Sequence, residues 1–542
     1  MLWFLRDYAL AAVVLRAATL AFTSILIGGL FFAAVLLPRP ISHLSWPAEP
    51  QQRWRRLMTF AATGLIAAQA AFAFLDGSLL VESAGLSLSD LWTADFLQAS
   101  ALLIAAAILI LLFSRWLARR YAAALLLALP LLGGTVWTSH AASRMDDRLP
   151  LIALTAMHQA SVAFWIGSMP FLWLLLAAAP PQDAGMGEIL SRRYSKAALV
   201  SVAALVVSGV LLGWQYTGSW NGLYGSGYGL VLIVKTLLLG PLLLLGAANF
   251  WALRQPAGRI QSFLPRLRLF SEAEIGIGFT VILAAASLTA QPPAVDVTQG
   301  RVTLPEIAAR FTPQWPRMQT PPVRALPPVA SMTQAERQYA ANPDDPRAAN
   351  DAAERAWSEY NHHWAGLIVL AAGLLAFLAK AGWGRWARHW PLAFLGLAVF
   401  LFLRADPEAW PLGPRGFWVS FYNPEDLVHR FIVVLIVCFA AFEWSVQNWS
   451  LKDTRAALVF PAVCALGGAL LLLHEHAMGS AQEELLTGMS HAAIAVFAVI
   501  AGWSRWLEIR GPQASRLRGV AAAIWPLCLI AIGLVLLNYR EA

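Results

Sequence analysis

The stretch GYGLVLIVKTLLLGPLLLLGAANFWA, residues 227–252, decides the fold. Its one charge is Lys235, and as a helix rising ~1.5 Å per residue it outreaches a hydrocarbon core of ~30 Å. Inside lipid the backbone must satisfy its own hydrogen bonds, so a helix is the form this stretch takes. Working outward, similar apolar runs lie near residues 9–36, 57–75, 97–114, 121–140, 149–179, 194–216 and 270–290. After a polar gap six more follow, near 361–379, 389–403, 427–447, 456–474, 484–504 and 519–538. The pattern predicts an all-α, polytopic transmembrane helical bundle of about fourteen spans. The run 389–403 is the shortest, and a re-entrant segment fits it as well as a span.

Composition agrees. Hydrophobic residues make up 58% of 542 and charged residues 13%, too few charges to coat a soluble globule. The 24 Trp suit the two membrane interfaces. Net charge is +8, and its distribution is topological. Basic residues crowd the connections after odd-numbered spans: Arg53, Arg55 and Arg56, Arg119 and Arg120, Arg192 and Arg193, Arg266 and Arg268, Arg516 and Arg518. Basic loops stay in the cytoplasm, so both termini are expected outside, and nucleic-acid binding is set aside. The first apolar run is too long for a signal-peptide core and reads as a span. No phosphate-binding glycine loop, serine elbow or HExxH motif is present, so the chain reads as other than an enzyme.

Three regions follow: an eight-helix membrane domain over 1–295, a proline-rich outer loop over 296–357, and a second membrane domain of about six helices over 358–542. The loop contains Pro321-Pro322 and Pro327-Pro328, which suit extended chain.

Histidine placement carries the chemistry. His43 and His389 fall in cytoplasmic connections, while His140, His158, His362, His363, His429, His474, His476 and His491 fall toward the outer side. Leu473-His474-Glu475-His476-Ala477-Met478 gathers two imidazoles and a thioether within five residues. That donor set suits copper, the thioether favouring the reduced ion. His362, His363, His140 and His429 are the neighbouring candidate ligands. His158 and His491 lie deeper, roughly 12–14 Å along their helices, where an ionisable group is costly and usually functional. Met157 precedes His158, and Met489 lies two residues before His491. One deep histidine from each half makes contact between the fifth and thirteenth spans an expectation. Two buried imidazoles also fit haem b ligation, so a membrane b-type cytochrome is the alternative. Lys235 and Arg16 are further intramembrane charges that call for partners.

The first half resembles the copper resistance protein D family of inner-membrane proteins. The likeness rests on His158-Gln159-Ala160-Ser161-Val162-Ala163-Phe164-Trp165-Ile166-Gly167, Arg193-Tyr194-Ser195, Ser208-Gly209-Val210, Tyr228-Gly229 with Lys235, Asn249, Glu274 and Pro292-Pro293. It is strongest over about 150–295. The resemblance implies copper handling at the bacterial inner membrane, with His158 as the intramembrane histidine and Trp165, Gly167 and Lys235 in the signature. It also implies a small periplasmic copper-binding partner of the copper resistance C type. The second half lies outside the resemblance, and a non-transporting accessory role is a third reading.

Overall fold

The computed structural model describes residues 2–37, 48–85, 87–117, 124–178, 184–255, 257–321, 346–422, 424–448, 455–472, 481–512 and 515–541. Among these residues every regular element is helical. The principal helices are α1 (Leu2–Phe31), α2 (Ala48–Ala84), α3 (Asp95–Leu117), α4 (Ala128–Trp137), α5 (Arg148–Val162), α6 (Met169–Ala178), α7 (Ala184–Thr217), α8 (Gly227–Leu253) and α9 (Ala257–Ala290). The series continues with α10 (Leu304–Phe311), α11 (Pro346–Lys380), α12 (Ala393–Arg404), α13 (Pro424–Asn448), α14 (Val459–Leu471), α15 (Ala481–Arg510) and α16 (Arg516–Leu537).

Twelve helices among the described residues are long and apolar enough to cross a membrane. Two shorter apolar helices, 125–137 and 455–471, stand where the fourth and twelfth spans were expected. The short run 389–403 reaches spanning length because a 3-10 turn, Arg385–Leu392, leads straight into α12. The chain is a multi-pass membrane protein.

It divides into two compact units, Met1–Leu223 with Val231–Thr298, and Tyr224–Leu230 with Gln299–Ala542. In the first unit, α5 runs through a π-helical turn, Ala163–Gly167, before α6. A π turn interrupts the regular ladder and leaves a carbonyl to be satisfied from elsewhere. Tyr194 supplies the donor, its hydroxyl reaching the Trp165 carbonyl at 2.8 Å. Trp165 itself is buried.

The same turn presses on α1. A Cβ added at Gly167 would stand 2.0 Å from the Ser24 carbonyl oxygen, and one at Gly28 would stand 2.2 Å from the Gly167 carbonyl carbon. Backbone meets backbone there, an approach that small residues permit inside a membrane. Gly167→Leu should therefore force α1 and the π turn apart, at a cost of at least ~1–3 kcal/mol. The purified variant should unfold at lower temperature in detergent; an unchanged midpoint would contradict this packing.

In the second unit, α11 and α16 make a similar approach, since a Cβ at Gly533 would lie 2.6 Å from the Leu370 nitrogen. Beside them Trp390, Phe460 and Trp525 pack with ring centroids 5.3 to 5.7 Å apart. Each ring is almost fully buried, which makes this aromatic cluster the core of the unit.

Candidate functional site

His158 projects from α5 toward α7. Its Nδ1 lies 3.2 Å from the Ser208 hydroxyl, and the backbone of Leu205 also bonds the ring. The Ser208 hydroxyl has one proton, directed to the Ala204 carbonyl at 2.7 Å and shared with that of Leu205 at 3.1 Å. Toward the imidazole that oxygen is therefore an acceptor. An accepting Ser208 oxygen places the proton on Nδ1, so Nε2 carries the lone pair, the form that ligates metals. Gly209 completes the seat: a Cβ there would press on the His158 Cε1 at 3.2 Å. The dipeptide Ser208-Gly209 thus has a physical reason for its chemistry. One residue fixes the tautomer and the other makes room for the ring.

Lys235 on α8 is near enough for its charge to act on His158. Among the described residues no carboxylate pairs with Lys235 at ion-pair distance. Met157 lends its carbonyl to Ser161 at 2.7 Å. Arg16 has a clear partner. Its guanidinium grips Thr138, bonding the hydroxyl and, at 2.9 Å, the carbonyl where α4 ends. A cation at a helix C-terminus is favourably placed against the dipole, so Arg16 is an anchor of α4.

His140 lies just beyond α4, in edge contact with Tyr216 at 6.1 Å and bonded to the backbone of Leu288. Burial pushes its pKa below the ordinary imidazole value, and the nearby Arg16 and Arg144 charges add to that, partly offset by the Leu288 bond. Arg144 pairs with Asp296 at 2.9 Å beside it. His140 is consequently set apart from His158 in its surroundings, among the ends of α4, α7 and α9.

In the second unit His362 and His491 come together. Their ring centroids are 6.2 Å apart, and both rings contact Tyr539, at 3.8 Å for His362 and 5.7 Å for His491. The His362 Nδ1 donates to the Ser358 carbonyl at 2.8 Å, which leaves its Nε2 with the lone pair. Tyr539 is fully buried, and burial together with Glu541 raises its pKa strongly, so the hydroxyl stays protonated and donates to Glu541 at 2.8 Å. The guanidinium of Arg310, on α10, lies 5.6 Å from the Tyr539 ring centre.

The adjacent His363 behaves differently. Its Nδ1 accepts from the Arg317 backbone at 2.7 Å, and its Nε2 donates to the Tyr539 carbonyl at 2.8 Å. With both nitrogens engaged it staples the loop and the chain end to α11, and no lone pair remains for a metal. His429 places its Nδ1 2.6 Å from Asp406 on an exposed edge. Met489 packs in an apolar cluster with Val302 and Leu485. His474, His476 and Met478 lie outside the described residues, as does His43. Among the described residues, no three or more His, Cys, Asp or Glu side chains are grouped to hold a metal.

Two buried polar groupings join residues whose pairing the sequence does not show, Asn249 and Glu274 being known from it only as marks of the family likeness. In the first unit, Glu274 on α9 accepts from the Asn249 amide at 2.6 Å while only 2% exposed. In the second, Lys380, Glu443, Arg505 and Glu508 converge from α11, α13 and α15 on the indole of Trp525. Both Glu274 and Glu443 are acids inside expected spans, which is the signal that marks them in the sequence.

Comparison with known proteins bears on the first unit. The family model for copper resistance protein D matches residues 188–288, which hold Tyr194, Ser208, Gly209, Lys235, Asn249 and Glu274. This stretch is similar to the copper resistance protein D domain. The chain is also 32% identical over 163 residues to the copper transport protein CutJ of Bacillus subtilis (strain 168). That match covers 30% of this chain and 29% of the relative's own length. No solved structure matches. Over part of its length, then, this membrane protein is similar to proteins named for copper resistance and copper transport.

Proposed function

We propose that this protein carries copper across the bacterial inner membrane, taking the ion from the periplasmic side on imidazole ligands. One observation carries the reading. His158 is an intramembrane imidazole whose tautomer is fixed with Nε2 open, and it sits against Ser208 and Gly209 of the stretch similar to copper resistance protein D. An oriented, neutral imidazole is what a borderline or soft cation requires of a protein site.

The second unit supplies a further pair. With a metal–nitrogen bond of ~2.0 Å and a ring nitrogen about 1.1 Å from the ring centre, two imidazoles meeting head-on at one ion would have centroids roughly 6.2 Å apart. His362 and His491 have that spacing. Two nitrogen donors against an aromatic wall suit Cu(I), which accepts few ligands. His474, His476 and Met478 precede α15 in the chain and are the remaining donors for capture, with the half-buried His140 in the first unit. A small periplasmic copper-binding protein of the copper resistance C type is the proposed donor or acceptor. The distribution of Lys and Arg supports the periplasmic placement of these donors.

Elemental analysis tests the reading. Purified full-length protein, loaded with Cu(I) and desalted, should retain copper. The double variant His362→Ala/His491→Ala should lose about one equivalent, and His363→Ala should lose none. Copper-free wild-type protein after loading would refute the function, and an undiminished double variant would remove the pair from it.

A further inference from the structure

The buried carboxyl of Glu274 has no part in the copper sites described. It lies on α9 with 2% of its surface exposed, and its one short contact is a neutral amide, Asn249 Nδ2 to Oε1 at 2.6 Å. Tyr194 of α7 is near enough to feel its charge, yet the Tyr194 hydroxyl proton is already given to the Trp165 carbonyl. From α8 the facing groups are Asn249 and Gly246, a Cβ at Gly246 lying 3.9 Å from Oε2. The ionisable neighbours on α9 itself are engaged elsewhere: Glu272 accepts from the Trp173 indole at 3.2 Å, and Arg268 lies 5.0 Å from the centre of the same ring. The π turn Ala163–Gly167, helix α6 and the stretch Ala17–Leu36 of α1 and its continuation carry no ionisable side chain. Among the described residues no lysine or arginine lies within ion-pair distance of Glu274.

An isolated carboxylate ion in such a place is costly by several kcal/mol, and a proton removes most of that cost. Glu508 in the second unit is the contrast, since three donors, two of them cationic, hold it as an ion.

We infer that Glu274, oriented by Asn249, is a proton-binding site within the stretch similar to copper resistance protein D. Its ligand is a single proton, and on the copper-transport reading above this proton is released as the copper ion passes. The exchange of one positive charge for another keeps the interior near constant charge and involves no redox step.

Infrared spectroscopy of the full-length protein in lipid vesicles decides the site without reference to copper. Wild type at neutral pH should show the C=O stretch of a protonated carboxylic acid, shifting in D2O. Glu274→Gln should lack it, and Glu443→Gln should keep it. A wild-type minus Glu274→Gln spectrum without that band overturns the site. Coupling is read separately, in vesicles enclosing a pH-sensitive dye. Adding Cu(I) should shift the internal pH with wild type, and Glu274→Gln should reduce the shift to that of protein-free vesicles while still binding copper. Copper entry with no proton movement in wild type overturns the coupling. Failure of wild type to move copper counts against the transport reading alone, and the infrared band then settles the site.

Discussion

His158→Ala is expected to reduce copper transfer by at least about 100-fold, measured as uptake into vesicles containing the purified protein. Loss of an outer-sphere partner alone commonly costs 10–100-fold in metal affinity, and removal of the ligand itself costs no less. The orientation of the ring provides a graded companion. In Ser208→Ala the Leu205 backbone still bonds the ring, so the imidazole keeps one of its two hydrogen-bond partners. That variant should fall about tenfold, at the mild end of the same range. Gly209→Leu should resemble His158→Ala, because its side chain would occupy the imidazole's place. The series therefore orders His158→Ala and Gly209→Leu below Ser208→Ala, with wild type highest. Equal transfer by wild type and His158→Ala, with all proteins folded and reconstituted alike, would take this residue out of the copper path.

The sequence made some of this legible and concealed the rest for physical reasons. Apolar runs report helices directly, because lipid allows no other form for them, and the described helices fall where those runs lie. The depth of His158 could be counted along one helix. Its seat at Ser208 and Gly209 could be quoted as a motif but not explained, since the partners stand fifty residues away on another helix. His362 and His363 show the limit plainly. Neighbours in sequence point about 100° apart around a helix, and each face meets different chain. His362 meets His491 and Tyr539, whereas His363 meets backbone atoms 46 and 176 residues distant. Nothing local separates a candidate ligand from a structural staple. The meeting of His429 with Asp406, 23 residues before it, is likewise invisible in the sequence. Arg16 looked like an unmet charge because its acceptors, the hydroxyl and carbonyl of Thr138, belong to a helix end that only folding brings near.

The largest stability effect should come from Glu508→Ala. Lys380 is the last residue of α11 and reads as one more cytoplasmic basic residue, yet its ammonium bonds the Glu508 carboxylate. Arg505, one turn earlier on α15, donates to the same carboxylate at 2.6 Å, and the Trp525 indole does so at 2.7 Å. Arg505 stands 3.9 Å from Glu443, whose other donor is the Gln447 amide at 2.6 Å. Glu508 is thus the hub on which three helices converge, while Glu443 is only loosely tied. Removal of the hub leaves two cations and an indole donor facing one distant carboxylate. Breaking a buried pair in this way costs ~3–5 kcal/mol, because the partner charge remains buried without compensation. Lys380 retains some access to water and so contributes less to that cost than Arg505. Thermal unfolding of the purified variant should therefore show a markedly lower midpoint, or the protein should fail to accumulate. Glu443→Gln should be milder, since the amide keeps the shape and forfeits only a weak ionic contact. The informative control replaces all four together, Lys380→Met, Glu443→Leu, Arg505→Met and Glu508→Leu. An apolar set of similar volume removes the desolvation cost along with the attraction, so this variant should recover most of the stability lost by Glu508→Ala. If the single variant were as stable as wild type, the four charges would be independent of one another, and the convergence of α11, α13 and α15 would rest on the aromatic core alone.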